Sequence, residues 1–318
     1  MLKRIQRQLK RTFVVLGVFS FLFISAGIVL YRFPDFFDIS DDQLTGNQEY
    51  TRGVLYTRAL RMTAADLTGY LTTNDLFIFP TAYLDNLQNF QLGELESIRF
   101  ATRVLRNNLS RARSTDVIDP DINIAMVSFS NDPLEIVWPR AETKFGEGVA
   151  AFVRYEKRLR MGNAKFYANA DGFNEFLLQF ISLVGGANER LARASRDENQ
   201  AVRMIVSNGR VTLEKINQPN HTAWFEIDDN YYYARGIMFV LQHLMIACRQ
   251  DFHVLIKDTN TEDLIDSIVL TLNLSQMEPL LIMNGDSDSI WANHSLQLQA
   301  RINDVWQKME ALRQITMM

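Results

Sequence analysis

From Phe13 to Tyr31 the chain runs 19 residues without a charge, FVVLGVFSFLFISAGIVLY. At about 1.5 Å per helical residue such a run spans about 28 Å, close to the hydrocarbon core of a bilayer at about 30 Å. Lys3, Arg4, Arg7, Lys10 and Arg11 precede it with no acid among them, and beyond Arg32 come Asp35, Asp38, Asp41 and Asp42. That asymmetry puts the N-terminus in the cytoplasm by the positive-inside rule. A cleaved signal peptide has an apolar core of only about 7–15 residues, and the small residues Ser25-Ala26-Gly27 lie inside this run, not after it. The sequence therefore reads as an uncleaved single-pass protein. Residues 1–12 are a basic cytoplasmic tail, 13–31 a transmembrane helix, 32–48 an acidic juxtamembrane linker and 49–318 a domain on the far side. Tyr31, Phe33, Phe36 and Phe37 suit an interfacial aromatic belt.

The formal net charge of -4 conceals a split. Without the five basic residues of the tail, 28 basic residues face 37 acidic ones, so the outer part is acidic. Phosphate backbones need concentrated Lys and Arg, so no nucleic-acid partner is expected. The single cysteine, Cys248, lies in the apolar run Leu244–Cys248 and reads as a buried small hydrophobe. One cysteine permits no internal disulfide and no multi-cysteine zinc site.

The outer part patterns as a mainly α domain of several helices, with room for one small β-hairpin. Helices are predicted near Tyr50–Asp66, Asp85–Ala112, Thr143–Met161, Ala170–Leu183, Tyr231–Ile256, from Thr261, and from Ser289–Ala292 to the end. Each carries apolar residues at spacings of three and four, which line one helical face. Ser114–Arg140 holds three of the seven prolines and reads as a long loop. Leu76–Pro80 is short and apolar and reads as an extended piece or loop. Gly185-Gly186 is expected to interrupt or end its helix. Met204–Leu213 around Asn208-Gly209 is the hairpin candidate.

No motif for catalysis stands out. His221, His243, His253 and His294 form no HxxxH or HExxH spacing, so no metal site and no cofactor are expected. Asn284–Ser289 resembles a calcium-loop fragment without its closing Glu and reads as a capping turn. Glu226, Asp228 and Asp229 form the densest acidic cluster beside an apolar helix and are the candidate catalytic carboxylates. The plainer reading is that one acid caps that helix and another pairs with Arg235. Asn293 or Ser295 is placed to cap the last helix, and His294 to bond a neighbouring backbone group.

Several strings together resemble one family: Gly69-Tyr70-Leu71-Thr72-Thr73, Leu84-Asp85-Asn86, Glu226-Ile227-Asp228-Asp229, Ala234-Arg235-Gly236, His243-Leu244, Asn284-Gly285 and Ala292-Asn293-His294-Ser295-Leu296. In this order they resemble the uncharacterised proteobacterial domain-of-unknown-function family 2333, over nearly the whole chain. The resemblance implies a bacterial inner membrane and a periplasmic outer domain, and brings no established activity. Arg235, His243, Asn293 and His294, which fall in these strings, are carried forward as candidate binding residues. The leading expectation is a non-catalytic component of the cell envelope that binds another envelope protein or itself. The alternatives are a cell-wall hydrolase working through the carboxylate cluster, and a sensor with an apolar pocket near Tyr231–Tyr233.

Overall fold

A computed structural model describes residues 2–30, 32–40, 50–69, 71–75, 85–113, 115–195, 202–207, 210–215, 222–223, 226–279, 281–285 and 291–317. The helices among them are α1 (Leu2–Leu30), α2 (Val54–Gly69), α3 (Asp85–Val104), α4 (Pro120–Phe129), α5 (Ala141–Arg160), α6 (Ala170–Ser195), α7 (Ile227–Asp251), α8 (His253–Asp258), α9 (Glu262–Leu274) and α10 (His294–Thr316). A π-helical turn, Leu105–Leu109, continues α3. Strands β1 (Val202–Ser207) and β2 (Arg210–Lys215) pair antiparallel with Val206 opposite Val211. The expected turn residues Asn208 and Gly209 lie outside the described residues, as does Leu76–Pro80.

α7 is the central element. It is apolar around most of its circumference, as a helix enclosed on all sides requires, and Tyr231 to Met245 is buried at nearly every position. It packs against α2, α3, α6, α9 and α10. The α3 crossing is the closest. A methyl group on Gly93 would lie 2.1 Å from the Tyr233 carbonyl oxygen, and one on Gly236 would lie 2.1 Å from that of Phe90. Only glycine at both positions lets the two backbones approach this far.

Four sequence expectations need correction. α1 starts at Leu2 and runs through both the tail 1–12 and the apolar run. Lys, Arg, Gln and Leu are good helix formers and nothing breaks the pattern. Among the described residues, no helix is long and apolar enough to cross a membrane. Side chains of α1 are described without interruption only from Lys10 to Phe23, and its uncharged part, Phe13–Phe23, falls short of a span. Ile24 and Gly27–Tyr31, which would complete the expected transmembrane helix 13–31, lie outside the residues whose side chains are described.

Second, Ser114–Arg140 is not all loop. Pro120 is the first residue of α4, where its missing N–H costs nothing. Asp119 caps that helix by accepting from the backbone N–H of Asp121 at 3.0 Å and of Ile122 at 3.3 Å. α4 then lies on α5, where Phe129 stacks on Phe145 and Phe152 and Arg154 pairs with Asp121 at 2.7 Å. Third, Gly185-Gly186 does not stop α6, which continues to Ser195 because it packs along α10. Fourth, part of the linker expected at 32–48 is attached to the domain: Phe33 and Phe37 pack against the core and Ile39 is buried, while Asp35, Phe36, Asp38 and Ser40 are exposed. Residues 41–48 are outside the described set.

Gly93→Ala or Gly236→Ala should force the α3–α7 crossing apart and lower stability by about 3 kcal/mol, the upper range for overpacking. Gly146→Ala in α5, where an added methyl meets nothing within 4 Å, should instead stabilise by about 0.5–1 kcal/mol. Denaturant unfolding of the three variants measures both effects.

Candidate functional site

Arg235, His243 and Asp251 recur every eight residues along α7. Eight helical residues rise about 12 Å and turn about 80° beyond two full turns, so the three follow an oblique line on the helix. All three are buried. The first two take hold of the segment that follows α1, and the third holds the start of α2.

At the first position the Arg235 guanidinium lies 4.5 Å over the Phe33 ring and 5.4 Å from Phe90. Phe33 also stacks on Tyr232 at 5.0 Å and meets Phe90 edge-on at 5.2 Å. Such a cation–aromatic contact contributes about 2 kcal/mol when shielded from water. At the second position His243 is stacked against Phe37 at 4.0 Å and Phe36 at 4.8 Å. Its Nδ1–H donates to the Phe239 carbonyl oxygen at 2.8 Å, leaving Nε2 to accept from the Phe37 backbone N–H at 3.4 Å. This is the neutral imidazole, and burial lowers the His243 pKa to about 4. From Phe33 to Phe37 an extended chain covers about 13 Å, which matches the helical rise between Arg235 and His243. Further on, Ile39 is buried and Arg58 donates to the Ser40 carbonyl oxygen.

At the third position the Asp251 carboxylate accepts from the Tyr50 hydroxyl, from the Gly53 N–H at 2.6 Å and from the Tyr56 N–H at 2.8 Å. The last residue of α7 thus satisfies the first turn of α2. Burial pushes the Asp251 pKa up to about 6 even against these donors.

A second buried polar group lies beside this line. Glu94 of α3 is fully buried beside Asp66 of α2, the two carboxyl groups sharing a hydrogen bond. Burial, then the charge of Asp66, holds its pKa well above the carboxylate range, while Arg235 opposes the shift. Arg235 itself gives one nitrogen to Glu278, and its Nε and Nη1 are buried without partners among the described residues. The expected pairing of Arg235 with an acid of the 226–229 cluster is therefore corrected. The guanidinium points to the segment after α9 instead.

The acidic cluster sits where α7 begins. Glu226 occupies the N-cap position without a side-chain capping bond, and Asp228 and Asp229 lie in the first turn, the favoured end for acids. Asn89 donates to Asp229 at 2.6 Å. Partial burial, then Asp85, Asp228 and Glu226, push Asp229 up to about 6; burial and Asp85 also raise Asp228. Tyr231 and Tyr232 are buried, with hydroxyls on the carbonyl oxygens of Met277 and Pro279. Among the described residues these side chains fill the space where the apolar pocket was expected. Three open cavities, of about 580 Å³ beside Tyr50, Arg52, Lys165 and His253, about 340 Å³ beside Asp38 and Arg249, and about 340 Å³ beside Asn174 and Arg313, are lined by none of the candidate acids.

Asn293 and His294 serve the start of α10. The Asn293 side chain accepts from the Leu296 N–H at 2.8 Å, and His294 Nδ1 accepts from the Met283 N–H at 3.0 Å. Both hold the chain 283–285 against the helix start, about Asn284, and neither is brought to Arg235 or His243. Thr261 precedes α9 as expected, but makes no side-chain capping bond there.

Sequence reasoning missed Glu94, Asp251 and Phe33–Phe37 as partners of this line. Glu94 had a signal: with Phe90, Ile98 and Ala101 it occupies the buried stripe of α3, where a charge needs a reason. The strap had none, because aromatic residues beside an apolar helix fit a bilayer interface equally well.

Fold and line together define a helical domain whose own N-terminal segment is built into its core behind a long first helix. The chain belongs to the bacterial family described as "Uncharacterized protein conserved in bacteria (DUF2333)", which matches residues 3–317. No curated protein and no solved structure matches it.

Two pH experiments test the site. The unfolded imidazole titrates near 6.5, so the stability tied to neutral, buried His243 is complete above that pH and is lost as pH falls toward 4. His243→Phe, which keeps the ring stacking, should remove about 2 kcal/mol of that acid sensitivity in urea unfolding between pH 7 and 4.5. Asp229 has the opposite sign. Its raised pKa favours the protonated fold, a contribution present below about 3.8 and lost as pH rises through about 6. Asp229→Asn should therefore stabilise more at pH 7.5 than at pH 4, by about 1 kcal/mol after solvent screening.

Proposed function

We propose that the protein is a single-pass component of the bacterial inner membrane. α1 anchors it, the N-terminus lies in the cytoplasm and the domain lies in the periplasm. The domain works by holding an envelope protein partner, or a second copy of itself, and not by catalysis. The observation that carries this reading is the docked segment after α1. Phe33 engages Arg235 only three residues beyond Leu30, so the anchor and the domain core form one mechanical unit. A free linker would let an enzyme roam; a strap stitched to the central helix holds a surface at a set height and orientation.

Further support comes from α1 itself. Phe13, Val14, Val15, Phe19, Phe21 and Leu22 are all exposed, a surface that water disfavours at about 25 cal/mol per Å². Basic residues precede that surface, and the domain beyond is acidic, which favours basic protein partners over anionic lipid. The hydrolase alternative loses ground on geometry. Its acids crowd the start of one helix, and the raised pKa of Asp229 has a sufficient cause in partial burial and neighbouring charge.

The full-length protein, tagged and purified in mild detergent from its own host, should co-elute with a reproducible envelope protein or run as an oligomer by native mass measurement. It should also stay in the membrane pellet after alkaline carbonate washing. A clean monomer with no companion would remove the interaction reading. Release by carbonate would remove the anchor.

A further inference from the structure

The contacts fix which elements meet at each end of the bundle. α2 starts at Asp251, the last residue of α7, and runs back so that Thr72, just past its end, bonds Gln91 near the start of α3. α5 lies antiparallel to α2: Glu156 near its end pairs with Arg58 and Arg61 near the start of α2. The start of α5 therefore lies where α2 ends, and Asn74 ties the two by donating to the Glu135 carbonyl oxygen at 3.1 Å and to Glu142 at 3.0 Å. Loop 130–140 thus shares one end of the bundle with the starts of α3 and α7. Phe33 docks at that end, on Phe90, Tyr232 and Arg235. Three residues of chain, at most about 11 Å, separate it from the last residue of α1.

This loop is held firmly and yet displays apolar side chains. Arg99 donates to the carbonyl oxygens of Phe129 at 2.7 Å and Asn131 at 2.8 Å. Thr73 donates to that of Pro133 at 2.8 Å. On this fixed backbone Leu134, Val137 and Trp138 are 60%, 72% and 79% exposed, and Ile136 is exposed as well. A clustered apolar tip on a rigid loop marks an interaction surface, unlike scattered single residues. The acids Asp85, Glu226, Asp228 and Asp229 stand at the same end, at the starts of α3 and α7, so the attraction is apolar and not electrostatic.

We propose that this end of the bundle rests on the bilayer, with Leu134, Ile136, Val137 and Trp138 seated among the headgroups and upper acyl carbons. The inference rests on the reading of α1 as the anchor, whose short tether delivers this end to the membrane surface. Trp with neighbouring Ile, Val and Leu is the composition that an interface favours. Since acids surround the tip, zwitterionic lipid is the preferred surface, and the contact persists at high salt.

The test uses the full chain in phosphatidylcholine vesicles, with a polarity-sensitive fluorophore on Val137→Cys. Cys248 is buried and does not compete for the label. Val117→Cys, exposed before the far end of α4, is the control in water, and Val15→Cys reports on α1. The expected result is blue-shifted emission at 137, quenched by spin-labelled lipid severalfold more than at 117 and unchanged in high salt. Water-like emission at 137 with quenching at 15 would overturn the loop contact and leave the anchor standing. Silence at both positions would overturn both readings. Disulfide cross-linking of unlabelled Val137→Cys between two copies, with no lipid quenching of the labelled protein, would assign the tip to self-association and also overturn the proposal.

Discussion

The approach of α3 to α7 at Gly93 and Gly236 is the constraint on which the rest of the domain depends. Helix axes normally stay 8–10 Å apart because side chains keep them there. Here each glycine faces a backbone carbonyl oxygen of the other helix, with no room for a methyl group. That closeness encloses Glu94 and Arg235 between helices, away from water, and aligns Phe90 to receive Phe33. Were the crossing wider, water would reach both charges and the aromatic contact would open.

Burial on this scale explains the unusual chemistry along α7. A charge in an apolar interior is costly unless compensated. Arg235 finds compensation in aromatic faces and Glu278, His243 by staying neutral between phenylalanines, and Asp251 by three donors from the start of α2. Glu94 lies against Asp66, and burial followed by that neighbouring acid pushes its pKa well above the carboxylate range. These groups turn α7 into a spine that the incoming chain must match in spacing as well as in polarity.

Much of the helical content was legible from apolar spacing alone, since a buried helical stripe has one period and little else imitates it. The start of α10 at Asn293 was equally legible, because Asn followed by an apolar run is local capping chemistry. α4 was not, because Pro120 and Pro133 suggest a loop until Asp119 is seen to cap. The passage of α6 through Gly185-Gly186 was hidden for a related reason: glycine lowers helix propensity, and only packing against α10 overrides it. Of the candidate site, Arg235 and His243 were named in sequence, but the resemblance supplied their positions and no partner. Arg235 lies 43 residues from Glu278, and His243 lies 206 from Phe37, separations at which no local pattern speaks.

By itself the sequence determined the mainly helical class, the acidic outer composition, the apolar run that begins at Phe13 and the absence of any cysteine framework. Each follows from residue type and short-range spacing. The tertiary structure alone decided that Phe33, Phe37 and Ile39 after α1 pack on the core, that Arg235 turns to Glu278 and Phe33 and not to the neighbouring acids, and that Glu94 and Asp251 are buried. The physical reason is one of range. Helix formation and capping depend on residues three or four apart, whereas desolvation of a charge and the stacking of a ring depend on which distant surfaces close over them.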